Sequence, residues 1–185
     1  MPAPWSIRVA TVADAGMIAH AHLKSWQTAY RGIFSDAYLD GIMEGVPRRT
    51  ERWKAGLTTP EQPDGLTFIA EVPGQGVVGF AGSGTERSGN TTYRGELYAI
   101  YLVAEYRKLG LGRTLFTTAV AHLARLQHER FMCWLIDTNP SRAFYDRMGG
   151  VLVPGLQQDA TIAGTTVHEV AYGWDTSATM ASLRE

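Results

Sequence analysis

The chain has 185 residues, a formal net charge of −1, 45% hydrophobic and 19% charged residues. That length suits one domain burying roughly 70% of the surface its unfolded chain exposes, and the composition excludes a disordered or fibrous chain. The balanced charge removes the general electrostatic argument for nucleic acid or an anionic membrane as partner, and a single cysteine, Cys133, allows no intrachain disulfide or thiolate-rich metal site, so a reducing, cytoplasmic setting is expected.

The N-terminal stretch MPAPWSIRVA lacks the basic and apolar regions of a signal peptide, and no apolar run is long enough to span a bilayer. Trp5 to Ala10 alternates as a short first strand, and Thr11 with Asp14 resembles a capping arrangement opening a helix. On that helix Ala19, Leu23, Trp26 and Tyr30 make one apolar stripe, and Gly32 ends it. Ser35 and Asp36 cap a second short helix through Met43. Pro47 starts a third running to about Lys54, whose Arg48, Arg49, Arg52 and Lys54 read as a solvated face. His20 and His22, two residues apart on a helix, point different ways and make no metal pair; no metal is expected.

Thr58 to Gly65 is a loop leading into strands Leu66 to Val72 and Val77 to Glu86. Between them, Gly74 to Gly79 matches the dinucleotide fingerprint GxGxxG literally. That fingerprint needs a strand, a tight turn and a helix, whereas these glycines read as a hairpin turn, so the match is set aside. After a turn at Ser88 to Thr91, Tyr93 to Val103 is a fourth strand, apolar on both parities as expected of one covered on both faces. A long helix from Gly110 to about His128 presents Leu111, Leu115, Phe116, Ala119, Val120, Leu123 and Leu126 to a sheet. Strand Phe131 to Ile136 completes a βαβ unit with parallel strands, and its apolar neighbours make Cys133 an inert core thiol. Asn139 and Pro140 open another helix, Ser141 to Met148, ended by Gly149 and Gly150. Strands near Val151 to Gln157 and Thr166 to Trp174 form a closing hairpin whose edge could pair in a homodimer. Residues 1–175 thus make one domain, with 176–185 expected as a flexible polar tail.

The turn Arg107-Lys108-Leu109-Gly110-Leu111-Gly112 carries the strongest local signal. Its glycines let backbone approach a bulky anion, Arg107, Lys108 and Arg113 bring positive charge, and the helix N-terminus adds its dipole. The P-loop pattern GxxxxGK(S/T) is absent. Glu96 to Gly112 resembles the acetyl-CoA motif of the GNAT superfamily of N-acetyltransferases, (Gln/Arg)-x-x-Gly-x-(Gly/Ala), here Arg107, Gly110 and Gly112. Asn139 to Gly150 resembles the second family motif, N-x-x-A-x-x-F/Y-Y-x-x-x-G-F, with Gly150 in place of the usual Phe. The N-terminal segment is also similar, so the resemblance covers nearly the whole chain.

The resemblance implies an α/β fold: a mixed sheet of about seven strands, flanked by helices, with central parallel strands that splay apart. It implies acetyl-CoA as co-substrate, its pantetheine arm along Ile100, Tyr101, Leu102 and Val103 and its pyrophosphate on the N–H groups from Arg107 through Lys108, Leu109, Gly110, Leu111 and Gly112 to Arg113. Ligands of α/β sheets bind beyond strand carboxyl ends, which agrees. Phe144 belongs to the same cofactor-binding set, and Asn139 holds the arm by its amide or caps the helix.

Acetyl transfer needs a neutral amine, a held oxyanion and a protonated leaving thiolate. The resemblance points to Glu96 as base, directly or through water, with an ion-paired carboxylate as the other reading. It makes Tyr145 the general acid, with packing against the cofactor as its other reading, and a backbone N–H such as that of Leu102 an oxyanion donor. Trp26, Tyr30, Tyr98 and Tyr101 either line the acceptor pocket or belong to the core. The implied activity is direct transfer to a primary amine of a small molecule or peptide; the rivals are a non-catalytic acyl-CoA sensor and a nucleotide-binding protein. The acceptor's identity is not legible in the sequence.

Overall fold

A computed structural model describes residues 5–183; the first four residues of the N-terminal stretch and the last two of the expected tail lie outside the described residues. The strands are β1 (Ser6–Val9), β2 (Leu66–Val72), β3 (Gly76–Thr85), β4 (Gly95–Leu102), β5 (Arg130–Ile136), β6 (Val151–Ile162) and β7 (Thr165–Asp175). The α-helices are α1 (Ala15–Ala29), α2 (Asp36–Gly41), α3 (Val46–Thr58), α4 (Leu111–Arg125), α5 (Arg142–Arg147) and α6 (Thr176–Ser182). The strands form one seven-stranded sheet, ordered β1-β2-β3-β4-β5-β7-β6. Only β4 and β5 run parallel; every other neighbouring pair is antiparallel.

Helical spacing decides what covers each face. On α4 the expected stripe is buried at Leu111, Leu115, Phe116, Ala119, Val120 and Leu123, each large side chain contributing about 1.5–3 kcal/mol over leaving it in water. This stripe packs with Leu97, Phe131 and Trp174 from the sheet. On the opposite face α1 buries Ile18 and Ala21 against Ile69 and Phe80, and its Trp26, with Tyr30 at its C-cap, packs against Ile136 and Val167. The turn holding Gly74 and Gly76 joins two antiparallel strands and opens no helix, so the glycine fingerprint there is a hairpin.

The structure differs from the sequence reading in places, β6 running on to Ile162 rather than ending near Gln157. The second helix stops at Gly41 and continues as a 3-10 turn over Ile42–Gly45 rather than as α-helix to Met43. The expected polar tail is a helix: Asp175 caps α6 by accepting from Ala178 N–H at 2.9 Å, and Met180 and Leu183 pack on the main core. Two apolar contacts in a short, Ser/Thr/Ala-rich stretch leave almost no periodic signal.

Candidate active site

The parallel pair β4–β5 holds register at only two positions, Gly95 with Phe131 and Glu96 with Met132. Beyond them β4 stays with β3 as far as Leu102, and β5 stays with β7 as far as Ile136. The register of β3 against β4 shifts between Gly82 and Ser83, leaving Tyr98 as the unpaired residue of a bulge, a device that bends a strand and increases its twist. Past Glu96 the β5-facing edge of β4 therefore has no strand partner, and a cleft of about 770 Å3 opens there. A smaller cavity of about 350 Å3 beside α6, lined by Tyr93, Arg130 and Trp174, contains none of the expected catalytic or binding residues.

One end of the cleft is the turn into α4. Lys108 and Gly110 take left-handed φ values of 63° and 89°, which turns the chain so that the first amides of a 15-residue helix face the cleft without intrahelical partners. Gly112 lies against Phe144, where an added Cβ would come within 3.6 Å of the ring. Arg107 donates to the Leu102 carbonyl at 3.1 Å and the Thr28 hydroxyl at 3.0 Å, and Arg113 to the Leu183 carbonyl at 3.3 Å. Among the described residues no carboxylate forms a salt bridge with Arg107, Lys108 or Arg113, the nearby Glu105 being paired with Lys24. Helix dipole and free cations make this an anion cradle.

Most of the expected residues line this one cleft: Glu96, Tyr98, Ile100, Tyr101, Leu102, Arg107, Lys108, Gly110, Gly112, Arg113, Asn139, Phe144 and Tyr145, with Trp26 and Tyr30. Val103, Leu109 and Leu111 do not. The Val103 N–H is spent on the Val78 carbonyl at 2.9 Å, Leu109 points to solvent at 56% exposure, and the Leu111 side chain is in the core. The Asn139 side-chain oxygen accepts from Ser141 N–H at 2.8 Å, a turn bond ahead of the helix, whose N-cap is Ser141 and not Asn139. The Asn139 amide nitrogen has no partner among the described residues and stays available.

Tyr145 is buried at 8% exposure, and its hydroxyl makes no hydrogen bond among the described residues. Desolvation pushes this phenol well above its ordinary range, so it carries its proton at any working pH. Cys133, in the middle of β5, is raised by the same burial; its thiol is inert.

Glu96 is 2% exposed and held by Arg87, whose Nη2 and Nε donate at 2.6 and 3.1 Å and whose backbone N–H donates at 3.2 Å. The Arg87 guanidinium also lies over the Tyr98 ring, 4.6 Å from its centre, and the Tyr98 hydroxyl donates to the Thr85 carbonyl at 2.7 Å. Gly84 permits this arrangement, since a Cβ there would sit 2.4 Å from the Tyr98 hydroxyl. Trp26 and Tyr30 are both core and cleft wall: each is at least nine-tenths buried, and the Tyr30 and Tyr101 hydroxyls share a hydrogen bond of 2.8 Å. Burial holds both phenols up.

Sequence reasoning missed Arg87 and Glu169. Arg87 follows the end of β3, and the Gly84–Glu96 register brings it beside Glu96; a hairpin reading of Thr85 to Gly95 could have found the pair. Glu169 lies on β7 opposite Ile136 and half-buried in the cleft wall. His22, buried among Trp26, Trp53, Phe80 and Tyr101, has an unpartnered Nδ1. Among the described residues no group of three His, Cys, Asp or Glu side chains is placed to hold a metal, and no helix is long and apolar enough to cross a membrane.

Comparison with known proteins places this geometry. Residues 24–150 match the model of the acetyltransferase (GNAT) family. The chain is 32% identical over 178 residues, 96% of its own length and 97% of the other, to YuaI of Bacillus subtilis strain 168, described as an uncharacterized N-acetyltransferase. The structure of a GCN5-related N-acetyltransferase from Rhodopseudomonas palustris superposes with a TM-score of 0.71 at 16% identity, over 94% of this chain and 96% of that one. That of yncA from Salmonella typhimurium, solved with its cofactor acetyl-CoA, superposes with a TM-score of 0.66 at 19% identity, over 94% and 95%.

Proposed function

Because the chain belongs to the acetyltransferase (GNAT) family and is therefore an acyltransferase, we propose that it moves an acetyl group from acetyl-CoA to a primary amine of a small molecule or peptide within a ternary complex. The observation that carries this reading is the continuity of the cleft, which joins the anion cradle of α4 to the free hydroxyl of Tyr145 and to Glu96. The Salmonella relative, solved with acetyl-CoA, supports the choice of donor. The residues present fit it: cations without a salt bridge among the described residues and open amides for the pyrophosphate, the bare edge of β4 for the pantetheine amides, and the Asn139 amide for the arm.

The chemistry then divides among this chain's own groups. The acceptor arrives as an ammonium, since such amines have a reference pKa of about 10.4, and loses a proton toward Glu96. Two of that carboxylate's four lone-pair directions are taken by the guanidinium and a third by the backbone, so the proton passes through a water on the cleft side. The amine nitrogen attacks the thioester carbonyl, a C–N bond forms, and the oxyanion is held by a backbone N–H of β4, with Leu102 as donor. The C–S bond breaks, the thiolate takes the Tyr145 proton, and the second proton shed by the nitrogen as the amide forms restores the Tyr145 phenol. The same desolvation that raises Tyr145 and Cys133 raises a thiolate emerging beside them, which keeps the two groups matched.

The test is thiol release from acetyl-CoA over a panel of amines, with Tyr145→Phe as the companion. Wild type should turn over at least one amine, and the variant should keep CoA affinity while kcat falls about 10²–10⁴-fold, the usual worth of a general acid. CoA binding without turnover of any amine would assign the cleft to acyl-CoA sensing instead. Full activity of the variant across the pH range would remove the acid role.

A further inference from the structure

The cleft wall carries two carboxylates, Glu96 and Glu169, among its cations. At the cradle, Arg107, Lys108 and Arg113 form no salt bridge among the described residues, as described above. Arg31, Arg87 and Arg147 also line the wall. Arg31 is bonded to Asp36 and Asp40, and Arg87 to Glu96 and Glu61. To these Glu169 adds a carboxylate whose one hydrogen bond comes from a neutral amide, Gln158 Nε2 at 2.9 Å, with no ion pair among the described residues. Of the two carboxylates in the cleft wall, Glu96 is ion-paired to Arg87 and Glu169 has no cationic partner among the described residues, so Glu169 is the one that attracts a cation.

The position of Glu169 separates it from the reacting centre. Side chains alternate along a strand, so Glu169 shares a face with Val167, which packs with Trp26, Tyr30 and Ile136 on the α1 side of the sheet. Its charge is felt by the Tyr30 and Tyr101 phenols. Measured on β5, Glu169 is level with Ile136 and Glu96 with Met132, an offset of about 13 Å at roughly 3.3 Å per residue. Glu96 is occupied by Arg87, and Glu169 is the carboxylate still free to receive a charged group.

Resting on the acetyltransferase reading above, we propose that the acceptor is a compound with at least two basic groups, and that Glu169 receives the ammonium that is not acetylated while the other reaches Tyr145 and Glu96. Glu169 is then a specificity residue: it holds the far end of the acceptor and takes no part in proton transfer.

The test uses the full-length protein with acetyl-CoA and α,ω-diaminoalkanes of three to eight carbons, each beside the monoamine of equal length. Wild type should favour the diamine in kcat/KM by at least tenfold, with a preference that shrinks as salt is raised. In Glu169→Gln, which keeps an acceptor for Gln158, that preference should fall at least tenfold through KM, with kcat for the diamine retained. Calorimetric titration of diamine into the CoA complex gives a readout without turnover, and affinity there should fall by the same factor. Equal use of monoamines and diamines by wild type, an unchanged preference in Glu169→Gln, or no diamine binding to the CoA complex would overturn the proposal. The first two outcomes leave the acetyltransferase reading standing, because both require turnover; failure to bind CoA at all would defeat both.

Discussion

Gly150 shows how a single missing side chain can be a packing requirement. A Cβ built there would lie 2.4 Å from the Trp174 ring, and that ring stacks on Phe131 at 4.9 Å between centres and donates to the Met148 carbonyl at 3.0 Å. The indole from β7 fills the space that any side chain at this position would enter. Gly150→Phe, which restores the family residue, should therefore destabilise the protein by at least the 1–3 kcal/mol typical of overpacking, read as a lower midpoint in urea. His22 gives a pH signature. Burial, then Arg49 and Arg52, lower its pKa to about 3, so below pH 6.5 the unfolded chain takes up a proton that the folded chain refuses. Its contribution is complete above pH 6.5 and is lost toward pH 3 by up to about 1.4 kcal/mol per unit. His22→Phe should flatten this part of the stability profile. The further loss below pH 4 should remain, because Asp14, held low chiefly by hydrogen bonds from Arg8, is stabilising only while ionised. At Glu96, substitution by Gln should lower kcat about 10²–10³-fold near neutrality, with the deficit narrowing as pH rises and the amine loses its proton unaided. A deficit constant with pH would show that Glu96 only anchors Arg87.

At the scale of elements, the turn into α4 does its work through backbone shape. Gly110→Ala forces a side chain into φ 89°, a cost of about 1 kcal/mol. It should weaken CoA binding more than it lowers the melting temperature, because the amides it re-aims are the ones expected to hold the pyrophosphate; equal binding by calorimetry would show that the cations alone suffice. This turn, the α4 stripe, β2 and the Asn139 segment were legible in the sequence, since each depends on residue types close together in the chain. The Arg87–Glu96 pair was not, because it forms across the β3–β4 connection and depends on register. Glu169 was hidden for a related reason: which face of β7 it takes follows from pairing with β5 and β6, and a hairpin with uncertain ends does not fix it. For Trp26 and Tyr30 the sequence left core and pocket as alternatives, and the fold makes them both at once.

For the whole molecule, α6 is more than a trailing end. Thr176 N–H donates to the Glu129 carbonyl at 2.9 Å, Met180 and Leu183 cover the α4 side of the core, and the Leu183 carbonyl anchors Arg113. Truncation after Asp175 should lower the melting temperature by several degrees and raise the Kd for CoA a few-fold, both measurable in one thermal-shift titration. The two-residue contact between β4 and β5 has a mechanical meaning as well. It divides the sheet into a four-strand plate and a three-strand plate, with almost no interstrand bonding across the seam. The free protein should flex about that line, with the β5-facing amides of β4 past Glu96 exchanging hydrogen far faster than its β3-bonded ones. A donor whose amides bond along the open edge would act as the absent ladder and stiffen the joint. At 100 times its Kd it should add about 2.7 kcal/mol of stability, with the gain in exchange protection concentrated along the seam.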